Sequence, residues 1–284
     1  MKEITPKEDI VFKRLFGSVG SENILRGLLE AILDIKIERV ELNLNKELIK
    51  KYVKAKKNIL DVLARLEDGT LINIEMQMAT DKSIEKRSLD YWSDLYTMQL
   101  EKGEKYENLR KTIAIWILDE DYFKNLKEYH NVFKIKEKNT NNDMYFKDFE
   151  LHFLELNKLR NSDILKPKKL DFWMWFIDHT NKELVEMAYK SEKEIEEAVE
   201  KLRELSSDKM ITMIMKAEDR KERDMLARLD AKYEAGIEEG EKRGKKEGII
   251  ESKKEIAKKL KAKGLSIKEI SEMTELSEEE IEKL

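Results

Sequence analysis

Apolar residues recur along this chain with two alternating periods. Around residues 8–16 and 21–33 they return at helical spacing; in the second segment Leu25, Leu28, Leu29 and Ile32 form the stripe, with Ser21 placed to cap it. Residues 37–44 predict a short strand, and 46–54 fit either a helix or an irregular stretch. Two alternating runs follow, Asn58–Leu66 and Thr70–Met78, separated by Glu67-Asp68-Gly69, which signals a hairpin. Residues 83–101 predict a long amphipathic helix, and the nearly continuous apolar run Thr112–Leu118 a central strand. Two further strands are expected over 129–135 and 146–156, joined by a polar loop around Asn139–Asp143. From Asp171 the period is helical: the aromatic-rich FWMWFIDH segment should dock on the core, and Ile195, Val199, Leu202 and Leu205 mark another helix. Only Pro6 and Pro167 interrupt the chain. The order of elements predicts an α+β core over 1–205, a charged helical arm over 206–263 and a small tail over 264–284. Ser266 with Glu269, and Ser277 with Glu280, have the spacing of two capping boxes in that tail.

Composition sharpens this picture. Charged residues make up 41% of the 284, against roughly 25% in an ordinary soluble domain, so long solvated helix faces are required. The net charge is only −4, which provides no global basic field; contact with DNA must rest on a local patch. Cysteine is absent, which excludes disulfides, thiolate zinc sites and cysteine nucleophiles. The histidines, His130, His152 and His179, are too scattered for a metal-ligand motif. No apolar run approaches ~18 residues, and the N-terminus lacks the apolar stretch of a signal peptide, so a cytoplasmic protein without a membrane span is expected.

The hairpin holds the candidate chemistry. One face carries Leu60, Val62, Ala64 and Leu66 opposite Ile72, Ile74, Met76 and Met78, and should be core. The other carries Asp61, Arg65, Asn73, Glu75 and Gln77. An ordinary half-exposed hairpin would show the same alternation. The turn discriminates. A two-residue Asp-Gly turn would pair Asp61 with Met76, whereas a three-residue loop with left-handed Gly69 pairs Leu66 with Thr70. In the second register Asp61 faces Glu75, a juxtaposition of like charges that a divalent cation would relieve.

These residues carry a resemblance. LDV followed by INIEMQ is similar to the PD-(D/E)xK nuclease superfamily. The segments DIVFKRLFG (9–17), KNILDVLARLEDGTLINIEMQ (57–77) and KRSLDYWSDLYTMQLEKGEKYENL (86–109) narrow the likeness to the recombination-promoting nuclease family, often labelled putative transposase, whose members also carry a C-terminal segment like GLSIKEISEMTELSEEEIEKL. The resemblance implies a restriction-endonuclease-like core, a mixed central sheet flanked by helices. It implies a Mg²⁺-dependent DNA endonuclease of low sequence specificity, with Mn²⁺ or Ca²⁺ as alternative ions and a link to recombination or mobile DNA. By the same resemblance Asp61 and Glu75 are the metal acids, the Met76 carbonyl an additional ligand, and Gln77 the third catalytic position, where the superfamily has lysine. Lys57 and Lys13 are candidates to supply the missing charge. A non-catalytic DNA-binding or oligomerising protein that keeps the fold is the alternative.

Other features have two readings each. Asp9, Phe12, Lys13 and Phe16 share a helical stripe; the phenylalanines are core, while Asp9 and Lys13 are within reach of the site. Arg87, Tyr91 and Gln99 share a face of the helix after the hairpin, as phosphate or base contacts or, for Tyr91, as packing. Gly236, Gly240, Gly244 and Gly248 repeat every four residues, at ~1 kcal/mol each relative to alanine. Close helix approach in a homo-oligomer, most simply a dimer, would offset that cost; a frayed linker is the other reading. Residues 241–263 are net +6, a phosphate track or a solvated face, whereas the tail is net −5, which argues against a helix-turn-helix reading DNA.

Overall fold

The computed structural model describes residues 4–42, 61–79 and 81–284. Lys57, Leu60 and the 46–54 segment lie outside the described residues. Two helices open the chain, α1 (Asp9–Gly17) and α2 (Glu22–Leu33), followed by the two-residue strand β1 (Val40–Glu41). The hairpin is β2 (Val62–Leu66) and β3 (Leu71–Gln77). Helix α3 (Ile84–Thr97) leads to β4 (Thr112–Leu118), β5 (His130–Lys134) and β6 (Phe149–Glu155). The remaining elements are helical: α4 (Leu156–Arg160), α5 (Lys169–Asp178), α6 (Lys182–Tyr189), α7 (Lys193–Ser207), α8 (Lys209–Ala262), α9 (Ile267–Thr274) and α10 (Glu278–Glu282).

The six strands form one mixed sheet in the order β1-β2-β3-β4-β6-β5. Pairing is antiparallel within the hairpin and parallel from β3 through β4 to β6, with β5 antiparallel at the edge. A parallel sheet must bury both faces, and the side chains of β4 do so by alternation. Ile113, Ile115 and Ile117 join Val62, Ala64, Ile72 and Ile74 beneath α1, α2, α5 and α7, whose Phe12, Phe16, Leu28, Trp173, Phe176 and Ile195 complete the larger core. Ala114, Trp116 and Leu118 face the other way and pack with Ile84 and Tyr91 of α3 and with Phe153. The aromatic segment of α5 is core, as its composition requires: Trp173 and Phe176 are fully buried. Helices α2 and α7 approach so closely that a Cβ at Gly27 would lie 2.8 Å from Cβ of Glu194.

Local corrections follow from packing. Met78 lies beyond the end of β3 and is 47% exposed, so it is not a core residue. Leu63, which also alternates onto the acid face, is half-buried there. Ser21 precedes α2 but makes no capping hydrogen bond; its hydroxyl is taken by Lys201 and Ser18. Strand β1 is shorter than the alternation of 37–44 suggests, because it pairs only at Val40 with Leu66 and Glu41 with Arg65.

The chain divides into two compact units, 1–215 and 216–284. Helix α8 contributes to both: Ile211 is buried in the first core and Met215 packs on it. In the second unit Ala257 and Leu260 of α8 meet Ile270, Leu276 and Ile281 of the tail in a small core of their own. Both capping boxes form there, with Ser266 and Ser277 accepting from the backbone N–H of Glu269 and Glu280. Gly236, Gly240, Gly244 and Gly248 sit within continuous helix, and a Cβ at any of them would meet nothing within 4 Å. No helix among the described residues is long and apolar enough to cross a membrane.

Candidate active site on the hairpin

The turn determines the site. Gly69 adopts φ +89°, its N–H donates to the Leu66 carbonyl at 3.0 Å, and the Leu66 N–H donates to the Thr70 carbonyl at 2.9 Å. This is the three-residue loop with a left-handed glycine that the sequence favours. The register it imposes pairs Val62 with Ile74 and Leu63 with Asn73, so the next position outward sets Asp61 opposite Glu75.

The two carboxylates are held by the backbone and by each other's strand. Asp61 Oδ2 accepts from the Met76 N–H at 2.8 Å, and Glu75 Oε1 accepts from the Asp61 N–H at 3.5 Å and from Asn73 Nδ2 at 3.1 Å. Glu75 is 4% exposed and Asn73 completely buried. Burial, then the neighbouring Asp61 carboxylate, pushes Glu75 up to about 8; burial pushes Asp61 up to about 6 against the pull of the Met76 N–H and Lys13. Two acids that resist ionisation this strongly lack compensating positive charge.

Part of that charge comes from α1. Lys13 Nζ lies 2.8 Å from Asp9 and 3.2 Å from Asp61 Oδ1. Burial works against its ammonium, but Asp9 and Asp61 outweigh it and raise its pKa. Lys13 and Asp9 are therefore brought to the site. Arg87 reaches it from α3: Nη2 donates to Gln77 Oε1 at 3.3 Å, and the guanidinium lies over the Trp116 ring at 5.5 Å and the Tyr91 ring at 5.9 Å. Tyr91, expected as a DNA contact, is 7% exposed with its ring 5.5 Å from that of Trp116, so it is a packing residue of the second core. Gln99 is likewise occupied within the fold: it donates to the Arg110 carbonyl and Thr112 Oγ1, each at 3.0 Å, and accepts from the Arg110 N–H.

The sequence placed Asn73 on this face without a role; its i, i+2 spacing from Glu75 was the available signal. Among the described residues its Oδ1 is buried without a hydrogen-bond partner. Two carboxylates and a spare amide oxygen form an all-oxygen donor set of the kind that suits a hard divalent cation. Among the described residues no group of three or more His, Cys, Asp or Glu side chains is gathered to hold a metal ion.

The family model described as PD-(D/E)XK nuclease family transposase matches residues 6–232. The chain belongs to this family. No curated protein and no solved structure matches it. The matched span includes α1, the hairpin and α3, the elements that carry Asp9, Lys13, Asp61, Glu75, Gln77 and Arg87. The mixed sheet flanked by helices agrees with a PD-(D/E)XK-like α+β fold. Nucleases of this family type typically use divalent metals and act on DNA.

Proposed function

We propose that this chain is a divalent-cation-dependent DNA endonuclease of low sequence specificity, working with Mg²⁺ (or Mn²⁺ or Ca²⁺) and linked to recombination or mobile DNA. The observation that carries the reading is the pair of buried, facing carboxylates on the hairpin, with Lys13 beside them. Asp61, Glu75 and the Met76 carbonyl would hold the cation. When bound, it would supply positive charge to a phosphate oxygen and lower the pKa of a water, the chemistry that phosphodiester hydrolysis needs.

The chain's own residues then have distinct tasks. Lys13 is a fixed ammonium within the site, a charge for the phosphate where the superfamily's lysine is replaced by Gln77. Gln77 offers only a neutral amide, and with Oε1 engaged by Arg87 it has its NH₂ left to donate. It orients a water or a phosphate oxygen and removes no proton. Arg87, lying over Trp116 and Tyr91, keeps that amide in place and adds a second positive charge at the end of β3. Asn73 fixes the rotamer of Glu75 from below.

The test is plasmid nicking in Mg²⁺, Mn²⁺ or Ca²⁺ against EDTA, with Asp61→Ala beside the wild type. Metal-dependent nicking lost in the variant is the expected result. Binding of plasmid without cleavage in any metal would leave a DNA-binding protein on a nuclease fold and overturn the assignment.

A further inference from the structure

At the far edge of the sheet, the strand β5 and the loop 135–147 that follows it carry a surface that the hairpin chemistry does not use. Met144, Tyr145 and Phe146 are 64%, 70% and 75% exposed in consecutive positions. The loop that presents them is tightly built. Glu137 accepts from the N–H groups of Asn139 and Thr140 and from the Thr140 hydroxyl, its own N–H donates to the Asn142 carbonyl, and Asn142 Oδ1 accepts from the Met144 N–H. Phe146 itself sits at φ +56°, a left-handed conformation that bulky side chains avoid. A large apolar ring is thus held in a strained conformation and left in water, two costs with no return among the described residues.

Charge indicates what would provide the return. Lys136, Lys138 and Lys147 flank the rings, and none has an ion-pair partner among the described residues, whereas the neighbouring Lys134 is spent on Glu150 at 3.5 Å. The loop also carries two acids, Glu137, whose ionised form is held by the turn, and Asp143, so its net charge is +1. Exposed rings with lysines on either side of them in the same loop match a polymer that offers both phosphates and unstacked bases. A duplex keeps its bases stacked and has nothing to offer Tyr145 and Phe146. We infer that the 135–147 loop is a docking ledge for single-stranded DNA. The loop begins about 20 Å from Glu75, three strand spacings across the sheet and four residues along it. This inference rests on the nuclease reading for the identity of the polymer, but on the loop alone for the mode of binding.

Binding is measured by fluorescence anisotropy in EDTA, with the full chain and a labelled oligothymidylate of about 15 nucleotides, beside a duplex of equal length. The single strand should bind more tightly. Tyr145→Ala and Phe146→Asn should each weaken it by between about fivefold and 100-fold. The triple variant Lys136→Gln/Lys138→Gln/Lys147→Gln should flatten the salt dependence by about 2 in the slope of log K against log salt. Phe146→Asn suits a left-handed position, so its melting temperature should stay level or rise while binding falls, which separates loss of a contact from loss of fold. Equal binding by the variants, equal preference for duplex, or a loss confined to self-association or to binding of anionic phosphatidylserine vesicles would overturn the ledge. Cleavage is scored separately: if Asp61→Ala still abolishes nicking, the ledge can fail while the nuclease reading stands.

Discussion

Asp61 and Glu75 face each other in a pocket that favours their protonated forms, and consequences for single residues follow. Removing either carboxyl should abolish metal-dependent cleavage while leaving the fold intact, because both side chains lie on the face away from the larger core. Full activity in Asp61→Ala or Glu75→Ala would show that the chemistry is elsewhere. The same burial links stability to pH. The folded pKa of Glu75 is raised to about 8 from an ordinary 4.5, so its contribution is complete in acid and is lost as pH rises through 8. The groups facing it are Asp61, Asn73 and Lys13, and Asp61, itself raised by burial, adds a contribution of the same sign, lost through about 6. His130, pushed down to about 4 by burial and then by the neighbouring His152, acts in the opposite direction below 6.5, so the comparison must be with a variant. In metal-free protein, Glu75→Gln should gain melting temperature over the wild type between pH 5 and 8, by an amount worth a few kcal/mol at most. A difference that does not change with pH would show that Glu75 ionises normally. Gln77→Ala should lower turnover more than metal affinity, since an amide orients without contributing charge; unchanged turnover would make Gln77 a bystander.

The hairpin, as an element, converts a turn into a site. Asp61 faces Glu75 only in this register: a two-residue Asp68-Gly69 turn, with Glu67 paired to Thr70, would set Asp61 opposite Met76 and send Glu75 to the other face. Gly69→Ala places a Cβ at φ +89° and 3.1 Å from Cγ of Arg110, and should cost about 1–2 kcal/mol. Unaltered denaturant midpoints in Gly69→Ala would argue that the loop can relax at no cost. Elements whose pattern has one period throughout were legible in advance. The continuous apolar run of β4 falls on Thr112–Leu118, and the stripe of α7 is buried at Ile195 and Leu202. Elements defined by a partner were not: β1 is two residues long because only Val40 and Glu41 find Leu66 and Arg65.

For the molecule as a whole, the acidic tail has its own small core and its own caps, within the unit 216–284. Deleting 264–284 should therefore spare nicking and expose Ala257 and Leu260, changing assembly or solubility. A truncated protein that assembles normally but no longer cleaves DNA would place the tail in the catalytic machinery. Among the described residues the glycine stripe has no neighbour within 4 Å of an added Cβ, and we propose a second copy of the chain as the surface that would offset its cost in helix propensity. Gly240→Leu with Gly244→Leu should block such an association in sedimentation; a monomeric wild type would remove the case for it.

Much of this was determined by the sequence itself. Alternation assigned the faces of the hairpin, the three residues between its strands assigned the register, and the register brought Asp61 to Glu75, all through local geometry that a chain carries wherever it folds. What surrounds those acids was decided only by tertiary structure. Lys13 comes from α1, 48 residues before Asp61; Arg87 lies over Trp116 and Tyr91 and reaches Gln77; Tyr91 and Gln99 are spent on packing and on Arg110. Helical periodicity gives the face on which a side chain stands but not which neighbour covers that face. Contacts between distant elements depend on how the layers dock, and that is settled by the volumes and charges of every element at once.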